Sequence, residues 1–259
     1  MIKKFFTQKK LNIIYSFTAI ILMWLIWLTA YYAVGNKLIV PSFLQTLSEF
    51  FGYFGKGKFW LALVNSLLRT LIAFVISFSV ALICCAATAV FSGAKAFFSP
   101  IMAVIRTLPT MAVILLILKF TYNNRTLSPV IVTVLVLLPM IYSQLCTSVE
   151  GIDSNLTEMA EVYGVNRSKR LLSIYLPQLL PDIISQTGSN LSLGLKVMIS
   201  AEVLASTANG LGGMMQINNV SGEIACLAAL TLSAVLAGLV IDFSFSLLQR
   251  LTCKWTKKE

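Results

Sequence analysis

Six apolar runs alternate with polar breaks along the chain. Residues 11–34 form an uncharged run of 24 residues, roughly 36 Å of helix at ~1.5 Å per residue, enough to cross a bilayer with some tilt. Trp24, Trp27, Tyr31 and Tyr32 gather toward its far end, as an interfacial aromatic belt does. Residues 59–91 exceed one bilayer thickness and are interrupted by Asn65 and Arg69, so the first turns are expected to project outward or tilt strongly. Residues 97–120 carry Arg106 and Pro109 in their first half. The proline is expected to kink this run or to lead it out of a short preceding helix. Residues 129–147 hold Pro139 inside. Residues 183–204 are rich in small and polar side chains, Ser185, Gly188, Ser189, Ser192 and Gly194, which let helix backbones approach closely. Residues 224–248 make the sixth run.

The breaks carry their own patterns. Within residues 42–54, Phe43, Leu44, Leu47, Phe50, Phe51 and Phe54 fall near helical spacing. This is either an amphipathic helix lying on the outer surface or an ordinary packed loop helix. Residues 92–95 read as a short inner turn. Residues 121–128, with Asn123, Asn124 and Arg125, read as a polar outer turn, and residues 207–222, containing G-L-G-G, as an outer re-entrant or loop segment. Residues 250–259 are a basic tail with Trp255.

Composition agrees with a membrane protein. Of 259 residues, 58% are hydrophobic and 12% charged, against about 25% charged in soluble domains. A soluble protein this apolar would expose large sticky patches. The opening basic-then-apolar stretch is expected to be an uncleaved span, because its run is longer than a signal peptide's and no A-x-A-like site follows. The net charge of +10 belongs to bases that sit mostly beside apolar runs. That placement suits orientation against anionic lipid, and no nucleic-acid partner is expected. With both termini inside, twelve Lys and Arg residues fall on inner segments and five (Lys37, Lys56, Lys58, Lys119 and Arg125) on outer ones. This bias supports six spans rather than five.

Several chemistries lack residues. There is no histidine, and the five cysteines show no C-x-x-C spacing, so histidine-based zinc and haem sites are excluded. Most of the cysteines lie in apolar runs, as small buried hydrophobes. No phosphate loop, nucleophile elbow or Asp-rich metal motif occurs. ATP hydrolysis, a cofactor and a metal are therefore not expected on this chain. Arg69, Lys196, Glu202 and Asp242 fall in or near spans, where a charge is costly unless paired or wetted. For Lys196, Glu202 and Arg69 a pathway or gate role stands beside a structural ion pair or snorkelling. For Arg69 and Asp242 the structural role is favoured. Lys196 and Glu202 are six apart on one helix and are not expected to pair with each other.

Residues 148–182 are a polar island in this apolar chain. Asp153, Ser154 and Asn155 are all good N-caps, and Asn155 with Glu158 has the reciprocal capping spacing. A short helix is predicted from there to Tyr163, stopped by Gly164. Leu156, Met159, Ala160 and Tyr163 make one apolar stripe, with Glu158 and Glu161 off it. Arg167 to Arg170 adds three cations, and Pro177 and Pro181 frame the return to the bilayer. Two roles remain open on physics alone: docking into a groove of a soluble partner, or packing against the protein's own inner face.

The island resembles the EAA loop of permease subunits of ABC importers, a pattern of E-A-A, three residues, Gly, nine residues and I-x-L-P. Glu158, Ala160, Gly164, Ile174, Leu176 and Pro177 stand at those positions, and Met159 replaces the middle alanine. The likeness extends to the nitrate/sulfonate/taurine-type permeases through V-P-S-F near Pro41, N-S-L-L-R-T around Arg69, R-T-L-P-T from Arg106, and A-E-V-L followed by G-L-G-G within residues 201–213. The resemblance implies an all-α integral membrane protein with the six-helix type I importer fold, one permease domain over residues 1–259. It implies a loop of Glu158, Met159, Ala160, Glu161, Tyr163, Gly164, Arg167 and Pro177 that docks a separate ABC ATPase subunit. It also implies an extracytoplasmic solute-binding protein, a second and identical permease subunit, and a bacterial inner-membrane location. A channel or ion-driven carrier acting alone is the alternative, followed by an intramembrane enzyme.

Overall fold

A computed structural model describes residues 2–36, 39–91, 93–121 and 124–252. Lys37, Ser92, Asn123, Cys253, Lys254, Trp255, Lys257 and Lys258 lie outside the described residues. Among those described there are helices and no strands: α1 Ile2–Val34, α2 Phe43–Phe54, α3 Gly57–Val90, α4 Ala94–Thr107, α5 Thr110–Phe120, α6 Leu127–Glu150, α7 Ser154–Val162, α8 Arg167–Arg170, α9 Leu176–Ala205, α10 Leu211–Val220 and α11 Ile224–Thr252. The six apolar runs fall on α1, α3, α4 with α5, α6, α9 and α11. Among described residues α3, α6 and α11 are long and apolar enough to cross a membrane, and α4 with α5 makes a fourth, broken crossing or a re-entrant segment.

That break falls at Pro109, where a kink or the exit from a short preceding helix is expected. α4 and α5 meet at 96°. Leu108 and Pro109 are extended, with ψ of 131° and 116°. The ring of Pro109 crowds the preceding residue out of helical geometry, and its missing N–H cannot close the turn. Pro139 does not have this effect, and α6 runs through it.

α9 is the hub. It packs along α3, α6, α10 and α11. The small residues expected on it explain how. A Cβ on Gly188 would lie 2.6 Å from Cβ of Phe245 on α11, and one on Gly194 would lie 3.1 Å from Leu137 on α6. Asn190 is buried among these helices and donates to Gln144 Oε1 at 2.7 Å. Lipid is as apolar as leucine, so packing and such hydrogen bonds, not exclusion from water, hold these helices together. The outward face of α3 shows Leu68, Leu71, Ile72, Val75 and Ile83, as a lipid-facing helix should.

Two side-chain clusters fill the interior. One joins Phe50, Tyr53, Phe59, Leu195, Leu211 and Leu230, beneath α2 and α10. The other joins Phe74, Ala81, Met102, Leu137, Tyr142 and Leu191. α2 is a packed helix: Ser42 Oγ caps it by accepting from Gln45 N at 3.2 Å, and Thr46, Phe50 and Tyr53 turn inward while Leu44 and Phe51 stay exposed. The aromatic end of α1 holds it in place. Trp24 and Trp27 meet Phe43 edge-on, and Trp27 Nε1 donates to the Pro41 carbonyl at 3.1 Å.

Candidate functional site

The polar island forms a nine-residue helix, α7. The cap differs from the expected Asn155–Glu158 box. Asp153 Oδ1 accepts from Asn155 N at 2.9 Å, so Asp153 is the cap and Asn155 already lies in the first turn. A carboxylate two residues before N2 satisfies an orphan N–H and meets the positive end of the helix dipole, which an asparagine within the turn cannot do. The stop is at Gly164, and α7 ends at Val162, one residue short of Tyr163. Gly164 has φ +65°, and Val165 N donates back to the Ala160 carbonyl at 2.9 Å. This is the six-to-one closure that needs a residue without Cβ strain in the left-handed region.

The stripe on α7 is mostly uncovered. Ala160 is buried at 3% exposure, whereas Leu156, Met159 and Tyr163 are exposed at 40%, 52% and 77%. Glu158 and Gly164 are exposed as well; the side chains of Glu161 and Arg167 lie outside the described set. An apolar stripe packed against the protein's own face would not show this. After Gly164, α8 passes through a π-helical turn, Leu171–Tyr175, into α9, with Pro177 in the first turn of α9. The loop is therefore continuous, in helical geometry, with the hub helix.

At the other end of α9 lies the second site. Glu202 is fully buried. Its Oε1 accepts from Arg69 Nη1 at 2.7 Å, and its Oε2 accepts from Ser66 Oγ at 2.6 Å and from Gly212 N at 3.1 Å. Ser66 Oγ in turn accepts from Leu211 N at 2.9 Å. The first two N–H groups of α10 are thus satisfied by Glu202 and Ser66, and the carboxylate sits at a helix N-terminus, where its charge is favoured. Asn65 Nδ2 donates to Asn209 O at 3.0 Å, and Thr207 Oγ1 donates to Arg125 O at 2.5 Å.

G-L-G-G is therefore a packing motif. A Cβ on Gly213 would lie 1.9 Å from the Thr207 carbonyl, and one on Gly212 2.4 Å from that of Ile199. The motifs around Arg69, Glu202 and Gly212 meet in one knot. Ser66 was not singled out from the sequence; its place three residues before Arg69 on α3 was the available signal. Lys196 is not brought to this knot and stands exposed on α9. Asp242 keeps Oδ1 buried without a hydrogen-bond partner among the described residues. Among the described residues no cluster of metal-ligating side chains occurs.

A bundle with lipid-facing helices, one knotted end and an exposed helix at the other has the architecture of a polytopic membrane protein. The profile of the binding-protein-dependent transport system inner membrane component family matches residues 79–257, and the chain belongs to that family. It is a permease subunit of an ABC importer. It is similar to SsuC of Escherichia coli strain K12, a permease protein named for aliphatic sulfonates transport, at 28% identity over 84% of this chain and 82% of that one. SsuC of Bacillus subtilis strain 168 is 29% identical over 61% of this chain and 57% of its own. Among solved structures, an inward-facing MetNI methionine ABC transporter aligns with TM-score 0.64 at 16% identity, over 74% of this chain and 96% of that one. A bacterial alginate ABC transporter in complex with its pentasaccharide-bound periplasmic protein aligns with TM-score 0.62 at 16% identity, over 93% and 96%. The shared fold is the type I importer transmembrane fold.

Proposed function

We propose that this permease moves a small oxyanion, an aliphatic sulfonate or a close relative such as nitrate or taurine, and that α7 is its docking helix for a separate ABC ATPase. The exposed stripe of Leu156, Met159 and Tyr163, closed off by Gly164, carries the docking assignment. Residues Glu158 to Gly164 receive the ATPase's motion, and the helical path from Arg167 through Pro177 passes it to α9. Two copies of the chain enclose the pathway, both termini face the cytoplasm, and a binding protein delivers solute at the α2–α10 end. Lys196, exposed on α9, faces the pathway in this arrangement, while Arg69 and Glu202 hold the delivering end together. The sulfonate class rests on the two SsuC relatives.

The test uses the chain reconstituted with its ATPase and binding protein in liposomes. Gly164→Pro is expected to abolish ATP-dependent uptake and the stimulation of ATP hydrolysis by loaded binding protein. Survival of both activities would overturn the docking role. Solute flux in liposomes holding this chain alone would favour the stand-alone carrier instead.

A further inference from the structure

One polar site belongs neither to the docking helix nor to the knot. A cavity of about 360 Å³ lies between α4 and α6, a size suited to a small ligand. α4 turns Lys95, Ser99 and Arg106 into it, and α6 turns Ser143 and Glu150. These positions recur at helical spacing, so two helix faces oppose each other lengthwise. At one end the Lys95 ammonium is hydrogen-bonded to the Glu150 carboxylate. That bond holds the lysine above its ordinary pKa, and the two charges cancel. Arg106 lies eleven residues further along α4, roughly 16 Å along its axis. There it has no carboxylate partner among the described residues.

Arg106 stands in the last turn of α4, just before the break at Leu108 and Pro109, with its side chain exposed, so its charge must face water or a ligand rather than lipid. The side-chain hydroxyls of Ser99 and Ser143, both lining the cavity, make no hydrogen bond to another described residue, which leaves both free to donate. The hydroxyls of Thr107 and Thr147, also in the lining, are already committed to backbone carbonyls of Val104 and Ser143. Met102 and Pro139 supply apolar wall. The cavity thus carries one net positive charge, a planar guanidinium fork, two free hydroxyl donors and a greasy side. We infer that it is a subsite for a small amphiphilic oxyanion, with Arg106 and the two serines on the charged head and Met102 and Pro139 against the aliphatic part. The guanidinium matches two oxygens of a sulfonate at once, which an ammonium does not. This inference rests on the oxyanion cargo proposed above and assigns it a residue.

A lipid phosphate offers the same chemistry, so the test separates the two sources. The whole transporter, with ATPase and binding protein, is placed in liposomes of phosphatidylcholine with or without phosphatidylglycerol, and uptake of labelled butanesulfonate is measured. Arg106→Gln should lower uptake by about tenfold or more in both lipids, the scale of a lost charge-assisted contact, and raise the ATP hydrolysed per sulfonate moved. Arg106→Lys should recover part of the uptake. Ser143→Ala should lower uptake several-fold without changing the thermal unfolding midpoint, which keeps the test alive if Arg106→Gln folds poorly. Undiminished uptake by Arg106→Gln and Ser143→Ala, in a wild type that carries butanesulfonate, sinks the subsite alone. A defect confined to anionic lipid assigns Arg106 to a headgroup and also sinks it. A wild type that carries no sulfonate overturns the cargo proposed above, and the subsite with it.

Discussion

Arg69 Nη1 reaches Glu202 Oε1 at 2.7 Å, and the carboxylate it reaches is completely buried. The two residues lie 133 positions apart. Glu202 is tolerable there because three donors converge on it and one is the free N-terminus of α10. The pair fixes where α10 enters the bundle, by tying α3 and α9 to its first turn.

Breaking this pair should be costly, and removing it whole should cost less. Glu202→Leu takes the acceptor from Arg69 Nη1, Ser66 Oγ and Gly212 N, and Arg69→Met leaves a buried carboxylate without its cation. Each single change is expected to destabilise by about 3–5 kcal/mol, whereas Arg69→Met with Glu202→Leu should lose clearly less than the sum. Chemical unfolding of the detergent-solubilised chain, run as a double-mutant cycle, checks this. Strictly additive losses would mean that the 2.7 Å contact contributes no coupling.

The glycines of G-L-G-G should divide sharply from other glycines. The Cβ of Gly213→Ala would meet a backbone carbonyl at 1.9 Å, so the loop between α9 and α10 must move. A loss at or above the ~1–3 kcal/mol typical of overpacking is expected. Gly52, inside α2, has nothing within 4 Å of its ideal Cβ, so Gly52→Ala should instead stabilise by about 0.5–1 kcal/mol. Thermal unfolding midpoints should move in opposite directions for the two variants. A neutral Gly213→Ala would show that the close approach is not needed.

The bundle was legible because its signals are local. Runs of apolar residues, Pro109 as a break and Gly164 as a stop each act within one turn. Asp153, Ser154 and Asn155 are all competent caps, and only the folded chain selects Asp153 over the Asn155–Glu158 box. The bend at Pro109 was foreseeable but its 96° was not, since the angle comes from what α4 and α5 pack against. The partner of Glu202 was out of reach. Helix spacing rules concern neighbours three and four apart, and they correctly excluded Lys196 but carry no information about a residue on α3. The motifs around Arg69, Glu202 and Gly212 were visible as separate stretches; their convergence is tertiary.

The exposed stripe on α7 allows a separation of stability from coupling. Met159 and Tyr163 point away from the bundle at 52% and 77% exposure, while Ala160 beside them is buried. Met159→Asp or Tyr163→Asp should change unfolding stability by no more than about 0.5 kcal/mol, as surface substitutions do. The same charge placed in an apolar docking groove must be desolvated without a partner, which costs far more. ATPase binding should weaken by about tenfold or more, equivalent to ~1.4 kcal/mol. Ala160→Asp should do the opposite and lower stability of the isolated chain first, because its Cβ already faces the interior. Titrating detergent-solubilised variants with the purified ATPase, beside their unfolding midpoints, distinguishes these cases. If Met159→Asp and Tyr163→Asp destabilise the isolated chain as much as Ala160→Asp does, the stripe is packed and not a docking face. If they are stable and bind the ATPase normally, the docking surface lies elsewhere on the loop.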